Sequence, residues 1–215
     1  MARESAGLLF VGGDGPDTEL IGKAVERAEL VIAADSGYDL ACSLGVAVDL
    51  LVGDMDSIRR LPESESLSGD RILAFDRDKD ETDTEIGLRL LHERGATDVT
   101  IVGGGGGRLD HLLAIMTLFE RELRPSRWIT ANEEVVHIEG QAVFEEMRGV
   151  VCSFFPVGDI VCTMRTSGLK WPLDGLSWRH GDVGISNCGV DDRVIVTMLS
   201  GRLIMVRNLR EVGNG

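Results

Sequence analysis

The chain has 215 residues, of which 22 are basic and 36 acidic, for a formal net charge of −14. That balance argues against general nucleic-acid binding, whose affinity rests largely on neutralised phosphates. A hydrophobic content of 43% against 27% charged excludes a disordered chain, and no apolar run reaches the roughly 18 residues of a membrane span.

The opening carries Arg3 and Glu4 and then "GLLFVGG" (7–13), which reads as a first strand and not as a signal peptide. "DTELIGKAVERAEL" (17–30) has Leu20, Ile21, Ala24, Val25 and Ala28 on one side and predicts a helix. "LVIAAD" (30–35) is a strand, "GYDLACSLG" (37–45) a short helix, and "DLLVGD" (49–54) and "RILAF" (71–75) are strands. "DTEIGLRLLHERG" (83–95) is a helix, "VTIVGG" (99–104) a strand, and "LDHLLAIMTLFEREL" (109–123) a strongly apolar helix. These strands are continuous apolar runs that alternate with helices, which predicts a mostly parallel sheet covered on both faces. After "RWITA" (127–131) the helical signal ends. Short strand-like runs follow at 135–140, 141–147, 150–158, 160–168, 193–201 and 202–209, with glycines between them. They predict an antiparallel sandwich or barrel.

The expected fold is therefore an α/β domain over 1–131 and a β-sandwich domain over 132–215. Charge divides unevenly between them, at 14 basic and 25 acidic residues in the first and 8 and 11 in the second. The four cysteines, Cys42, Cys152, Cys162 and Cys188, form no C-x-x-C pair and suit reduced packing residues of a cytoplasmic protein.

In an open α/β sheet, ligands bind beyond the carboxyl ends of the strands. Those ends carry Asp35, then "DMDS" with Asp54, Asp56 and Ser57, then the acidic run "DRDKDETD" (76–83), then "GGGGGRLDH" (103–111). The D-x-D spacing suits one hard cation, although turns and caps also use aspartate freely. Thr82 and Glu85 fit a capping box, with Asp83 in the first helical turn. Five glycines before a helix suggest a loop that something approaches closely, with free N–H groups for an anion and Arg108 as a phosphate contact. The run matches neither the P-loop nor the dinucleotide fingerprint. There is no Cys/His cluster for zinc and no G-x-S-x-G elbow.

Taken together, the sequence resembles the thiamine pyrophosphokinase family. The resemblance spans nearly the whole chain. It rests on "IAADSG" (32–37), "DLLVGDMDSI" (49–58), "DKDETDTEIGL" (78–88) with "GGGGGRLDH" (103–111), and "SGLKWPL" (167–173) with "GISN" (184–187). It implies a homodimer that transfers pyrophosphate from ATP to the hydroxyl of thiamine and releases AMP. Asp54, Asp56 and Asp83 match the family's Mg2+-binding acids, with Asp35 nearby. Arg108 and Lys79 would meet phosphate, and Asp110 would orient or deprotonate the hydroxyl. Ser57, Asp80, Thr82, Gly105, Gly107 and His111 fall among the expected nucleotide contacts, while Asp76 and Glu81 would stay solvated. Trp171 would cover the thiazolium, and Ser186 and Asn187 would contact the pyrimidine.

Two positions depart from the family pattern: Ser36 stands for a usual glycine, and Cys188 for a residue that is often acidic or polar. Three alternatives stay open on sequence alone. They are a diphosphokinase for another alcohol such as a pterin, a non-catalytic sensor of nucleotide or thiamine diphosphate, and a sugar-nucleotide transferase using "DMD". The apolar run "RVIVTMLSGRLIMV" (193–206) is a candidate dimer surface, because it has too few polar residues to face water on both sides.

Overall fold

A computed structural model describes residues 5–58, 67 and 69–209, so Arg3 and Glu4 lie outside the described residues. The chain divides into two compact units, Met1–Ala131 and Asn132–Gly215. Among the described residues no helix is long and apolar enough to cross a membrane.

The first unit is built on β1 (Ala6–Val11), β2 (Ala28–Ala34), β3 (Leu50–Gly53), β4 (Ile72–Ala74), β5 (Asp98–Gly103) and β6 (Arg127–Ile129). They lie side by side in the order β6-β5-β1-β2-β3-β4, and every pairing is parallel. Among the described residues four α-helices connect them: α1 (Thr18–Arg27), α2 (Gly37–Ser43), α3 (Asp83–Glu93) and α4 (Leu109–Leu118). The strands are apolar throughout because they sit inside. Leu9, Phe10, Ile32, Leu51 and Ile101 are fully buried, as are Ile21 of α1 and Ile86 and Leu91 of α3. Strand order reverses at β1, which has β2 on one side and β5 on the other. A crevice forms at such a switch point.

Two helix ends differ from the sequence expectation. Helix α1 stops at Arg27, because Ala28 turns extended (φ −66°, ψ 126°) and pairs with Ala6 at the start of β2. Sheet pairing there overrides a helical pattern that runs to Leu30. Helix α4 stops at Leu118, where Glu120 and Arg121 N–H groups bond back only three residues, at 3.1 and 3.3 Å. Such tightened turns close a helix, and Pro125 disfavours helix in the residue before it.

The second unit is antiparallel. One sheet runs in the order β12 (Gly184–Cys188), β9 (Val151–Val157), β14 (Arg202–Asn208), β7 (Glu133–Ile138). The other runs β11 (Ser177–Trp178), β10 (Cys162–Ser167), β13 (Val194–Ser200), β8 (Gln141–Phe144). Inward residues of both sheets form one core, with Phe154, Leu203 and Met205 from the first and Met164, Val194 and Val196 from the second. That is the layering of a sandwich. Strands β11 and β12 escape a pattern reading. The first has two residues. The second has no apolar alternation, and its register against β9 shifts between Gly184 and Asn187.

The apolar run at 193–206 is satisfied within this unit. Val194, Val196, Met198, Leu203 and Met205 belong to its own core, and Ile204 is 1% exposed. Most of the run is thus occupied in the core of its own unit, while Leu199 within it is 57% exposed. Exposed apolar residues stand elsewhere in the unit, at Val151 on β9, at Ile185 on β12, and at Val183 and Val190 just outside β12.

Candidate active site

Strands β1 to β5 of the parallel sheet deliver their chemistry at one end. Strand β2 runs into Asp35, whose φ of +45° is a left-handed conformation unusual for a side-chain-bearing residue. The turn is held by its N–H on Val52 O (2.9 Å) and by Tyr38 N–H on its carbonyl (2.9 Å). Its carboxylate accepts the Met55 N–H at 3.1 Å and lies against Gly53, where any Cβ would stand 2.0 Å from Asp35 Oδ1. Beyond β3, Met55 is again left-handed (φ +63°), and Asp54 accepts the Asp56 N–H at 3.1 Å. The result is a group of three carboxylates, Asp35, Asp54 and Asp56, with one oxygen from each lying within 4.8 Å of the others.

Electrostatics in this cluster are uneven. Burial first, then a hydrogen bond and repulsion from Asp83, push Asp35 up to about 7, against a weaker opposing bond from Met55 N–H. Asp54 is instead held below the usual carboxylate range, chiefly by the Asp56 N–H. Asp83, the first residue of α3, faces Asp35 and lies with Oδ1 3.0 Å from Lys79 Nζ. That oxygen is buried, and the lysine contact is an ion pair without hydrogen-bond geometry. Arg77 reaches Asp56 at 3.1 Å.

Beside the cluster opens a cavity of about 440 Å³, within the range of small-molecule sites. Asp35, Ser36, Ser57, Thr82 and Asp83 form one wall. Gly12 and Gly13 after β1 and Gly104, Gly106 and Gly107 after β5 form the floor, with Arg108 and His111 at the rim. Ala114, Ile115 and Leu118 of α4 supply an apolar wall. The glycine loop is pinned, not slack. Asp14 and Gly105 exchange backbone bonds at 2.7 and 3.1 Å, and Trp128 Nε1 donates to Gly103 O at 2.7 Å. Gly103 has φ +100°, and a Cβ there would lie 2.3 Å from Val11 O. Helix α4 follows Arg108, which gives no side-chain cap; the His111 N–H is taken by Asp110 Oδ1 and Arg108 O, and the N–H groups of Leu109 and Asp110 are left for an anion.

The capping box at the start of α3 is present. Thr82 N–H donates to Glu85 (2.7 Å), and Glu85 N–H donates to Thr82 Oγ1 (3.2 Å). Glu85 also pairs with Arg121, tying α3 to the turn after α4. Arg108 grips Asp110 through two contacts, at 3.1 and 2.5 Å, with both side chains mostly in solvent. Bonding to Arg108 holds the Asp110 carboxyl below its ordinary value.

Other candidates sit differently from the sequence expectation. Lys79 does not line the cavity; its ammonium lies on Asp83 and donates to Asp76 O at 3.0 Å. Asp80 is exposed outside the cavity wall, and Gly105 is spent on its pairing with Asp14. Glu81 is not simply solvated: Arg89 holds it through two bonds of 3.2 and 3.0 Å. Asp76 accepts the Asp78 N–H at 3.1 Å in a local turn. Gly12 and Gly13 were missed by the sequence reading, although two glycines directly after the first strand are the same signal as the loop after β5. Ser36, the departure from the family glycine, projects where Gly12 has no side chain; a Cβ on Gly12 would sit 2.0 Å from its Oγ.

In the second unit, Trp171 is 53% exposed, with Lys170 Nζ 4.5 Å from the centre of its ring. Ser186 is exposed and left-handed (φ +59°), and its N–H donates to Ser153 Oγ at 3.2 Å. Asn187 is only 4% exposed. Its oxygen accepts the N–H groups of Trp171 (3.2 Å) and Cys188 (2.8 Å), and its nitrogen donates to Trp171 O (2.7 Å). An amide engaged in this way is poorly placed for the pyrimidine contact expected of it.

Known proteins with the same organisation bear on both units. Residues 21–129 match the thiamin pyrophosphokinase catalytic domain, and residues 134–203 match the thiamin pyrophosphokinase vitamin B1 binding domain. The thiamine pyrophosphokinase of Bacillus subtilis is 26% identical over 190 residues, covering 83% of this chain and 87% of that protein. Thiamine pyrophosphokinase 1 of rice (Oryza sativa subsp. japonica) is 26% identical over 169 residues, covering 69% and 62%. The crystal structure of the Bacillus subtilis enzyme superposes with a TM-score of 0.77 at 22% identity, covering 94% of this chain and 98% of that one. An Enterococcus faecalis thiamin pyrophosphokinase family protein gives 0.77 at 20% identity, covering 96% and 100%. At that identity the superpositions speak for the fold, and the matched domains together span most of the sequence. By its two matched domains, in family order, the chain belongs to the thiamin pyrophosphokinase family.

Proposed function

We propose that the protein transfers the pyrophosphoryl group of ATP to the hydroxyl of thiamine, with Mg2+, as a cytoplasmic homodimer. The observation that carries this reading is the three-carboxylate cluster beside a glycine-floored cavity at the carboxyl ends of the parallel strands. The donor set fits a hard divalent cation: all ligands are oxygens, and the buried Asp83 Oδ1 lacks a hydrogen-bond partner. Asp35, Asp54 and Asp56 would hold Mg2+, with Asp83 facing Asp35. Bound there, the cation supplies charge neutralisation for a polyphosphate in line with the attacking oxygen.

The chain's own groups do the rest. The open N-terminus of α4 and the backbone of Gly106 and Gly107 receive phosphate oxygens. Ala114, Ile115 and Leu118 offer an apolar face to the purine. Arg108 exchanges Asp110 for phosphate. Freed of that partner, Asp110 regains basicity and takes the proton as the thiamine oxygen bonds to the β-phosphorus. The bond from that phosphorus to the α,β-bridging oxygen breaks, and AMP leaves with the oxygen. Trp171 presents an indole face to the thiazolium cation, a contact of about 0.5 to 2 kcal/mol.

Incubation with ATP, Mg2+ and thiamine, followed by separation of the nucleotides, tests the reaction. AMP and thiamine diphosphate in equal amounts are expected. ADP, or binding of ATP with no turnover, would refute it. The dimer is supported by the exposed Val151, Ile185 and Val190 around the edge strand β12. A monomeric mass by light scattering in an active preparation would rule it out.

A further inference from the structure

We infer that Asn187 is a positioning residue that fixes the Trp171 ring for its substrate; this rests on the reading that Trp171 covers thiamine. Trp171 is more than half in solvent, with Lys170 Nζ 4.5 Å from the centre of its ring. A ring so placed would ordinarily sample several rotamers. Its backbone, however, is held on both sides by one buried amide. Asn187 Oδ1 accepts the Trp171 N–H and its Nδ2 donates a hydrogen bond to the Trp171 carbonyl, so residue 171 is paired as if to a neighbouring strand. The same oxygen accepts the Cys188 N–H, which fixes the amide's own orientation.

The surroundings reinforce that grip. Lys170 N–H donates to Cys188 O at 2.8 Å, and Leu169 bridges to Gly189, so residues 169–171 run beside residues 187–189. Leu169 and Leu173 are 6% and 4% exposed and anchor the segment on either side of the ring. Pro172 restricts Trp171 to extended conformations. Asn187 points inward because the register of β12 shifts just before it, with Ser186 left-handed.

Burying a primary amide costs free energy unless its hydrogen bonds are made. Here both lone pairs of the oxygen and one proton of the nitrogen are committed within residues 171 and 188. The side chain is 4% exposed, so direct contact with a ligand is largely closed to it. Its effect on substrate runs through the ring. Holding a platform in its bound geometry lowers the ordering cost of binding.

A double-mutant cycle separates positioning from contact and from general damage. Trp171→Ala, Asn187→Ala and the double variant are compared by the KM for thiamine and the KM for ATP. Asn187→Ala is expected to raise the thiamine KM by roughly five-fold or more with the ATP KM within about two-fold, and to add nothing in the Trp171→Ala background. Asn187→Asp keeps the acceptor for both N–H groups but loses the donor to the Trp171 carbonyl. It is the second variant should Asn187→Ala fail to fold, and it is expected to act in the same direction. The Trp171 indole N–H resonance, assigned by its loss in Trp171→Phe, should show greater ring mobility in either Asn187 variant without substrate. Additive effects on the thiamine KM would mean that Asn187 touches substrate itself and would overturn the inference, as would an unchanged indole resonance. An unchanged thiamine KM in Trp171→Ala alone would sink the parent reading instead, while the indole measurement still decides whether Asn187 fixes the ring.

Discussion

A proton competes with the metal for Asp35, and the competition sets a pH dependence. Asp35 sits near pH 7 in the folded protein because of burial and the facing Asp83. A divalent cation needs the carboxylate, so apparent affinity scales with the ionised fraction. With the carboxyl at about 7, that fraction is about 10% at pH 6 and about 90% at pH 8. Metal binding should therefore tighten about ten-fold between pH 6 and pH 8, with about 0.9 proton released per metal bound at pH 6 and about 0.1 at pH 8. Stability of the metal-free protein runs the other way. The folded state keeps a proton that the unfolded chain loses above its ordinary value of 3.8. Stability thus falls as pH rises from about 4 to about 7 and then levels. Titrating Mg2+ or Mn2+ by calorimetry in buffers of different ionisation enthalpy reads both the affinity and the proton. Thermal melts with and without metal should show a larger stabilisation at pH 8 than at pH 6. Equal metal affinity at the two pH values, with no proton released, would refute the reasoning. Asp35→Asn should abolish the pH dependence together with most of the binding.

Three further outcomes follow from the geometry. Asp56→Asn keeps shape but removes a charge from the cluster; turnover should fall by at least about 100-fold with an unchanged circular dichroism spectrum, and near-normal turnover at saturating Mg2+ would reduce "DMDS" to a turn. Trp171→Ala should raise the thiamine KM about 5- to 30-fold and leave the ATP KM nearly unchanged, corresponding to about 1 to 2 kcal/mol of lost contact. Gly103→Ala adds a Cβ 2.3 Å from Val11 O at a positive φ, so it should cost roughly 2 kcal/mol or more and lower Tm by about 4 °C or more, read by thermal denaturation.

Much of this was legible in the sequence because the relevant signals are local. Apolar runs alternating with helical periods gave the parallel sheet, and the rule about strand ends gathered Asp35, Asp54, Asp56, Asp83 and the glycine loop. The capping box of Thr82 and Glu85 was readable from spacing alone. Less legible was which side chains take up one another, even at short separation. Lys79 looks like a phosphate ligand until Asp83 and the Asp76 carbonyl occupy it. Glu81 looks solvated until Arg89, one turn into α3 and beyond, folds back onto it. Asn187 reads as a ligand contact because its motif adjoins Trp171 only in space. Strand β12 carries no pattern because it is an edge, irregular in register and without apolar alternation.

The pairing of Ser36 with Gly12 bears on how sequences of this kind drift. The two positions share the room of a single side chain: the Ser36 hydroxyl fills the place a Cβ on residue 12 would take. Asp35 and Gly53 stand in the same relation one residue earlier. With serine at position 36, a side chain at position 12 requires the Ser36 hydroxyl to rotate away, while a chain with glycine at 36 has space for a small residue there. The two sites are therefore coupled, and a side chain at position 12 is easier to admit once position 36 is glycine. Position 53 has no such freedom, because the carboxylate that excludes its side chain is itself part of the acidic cluster.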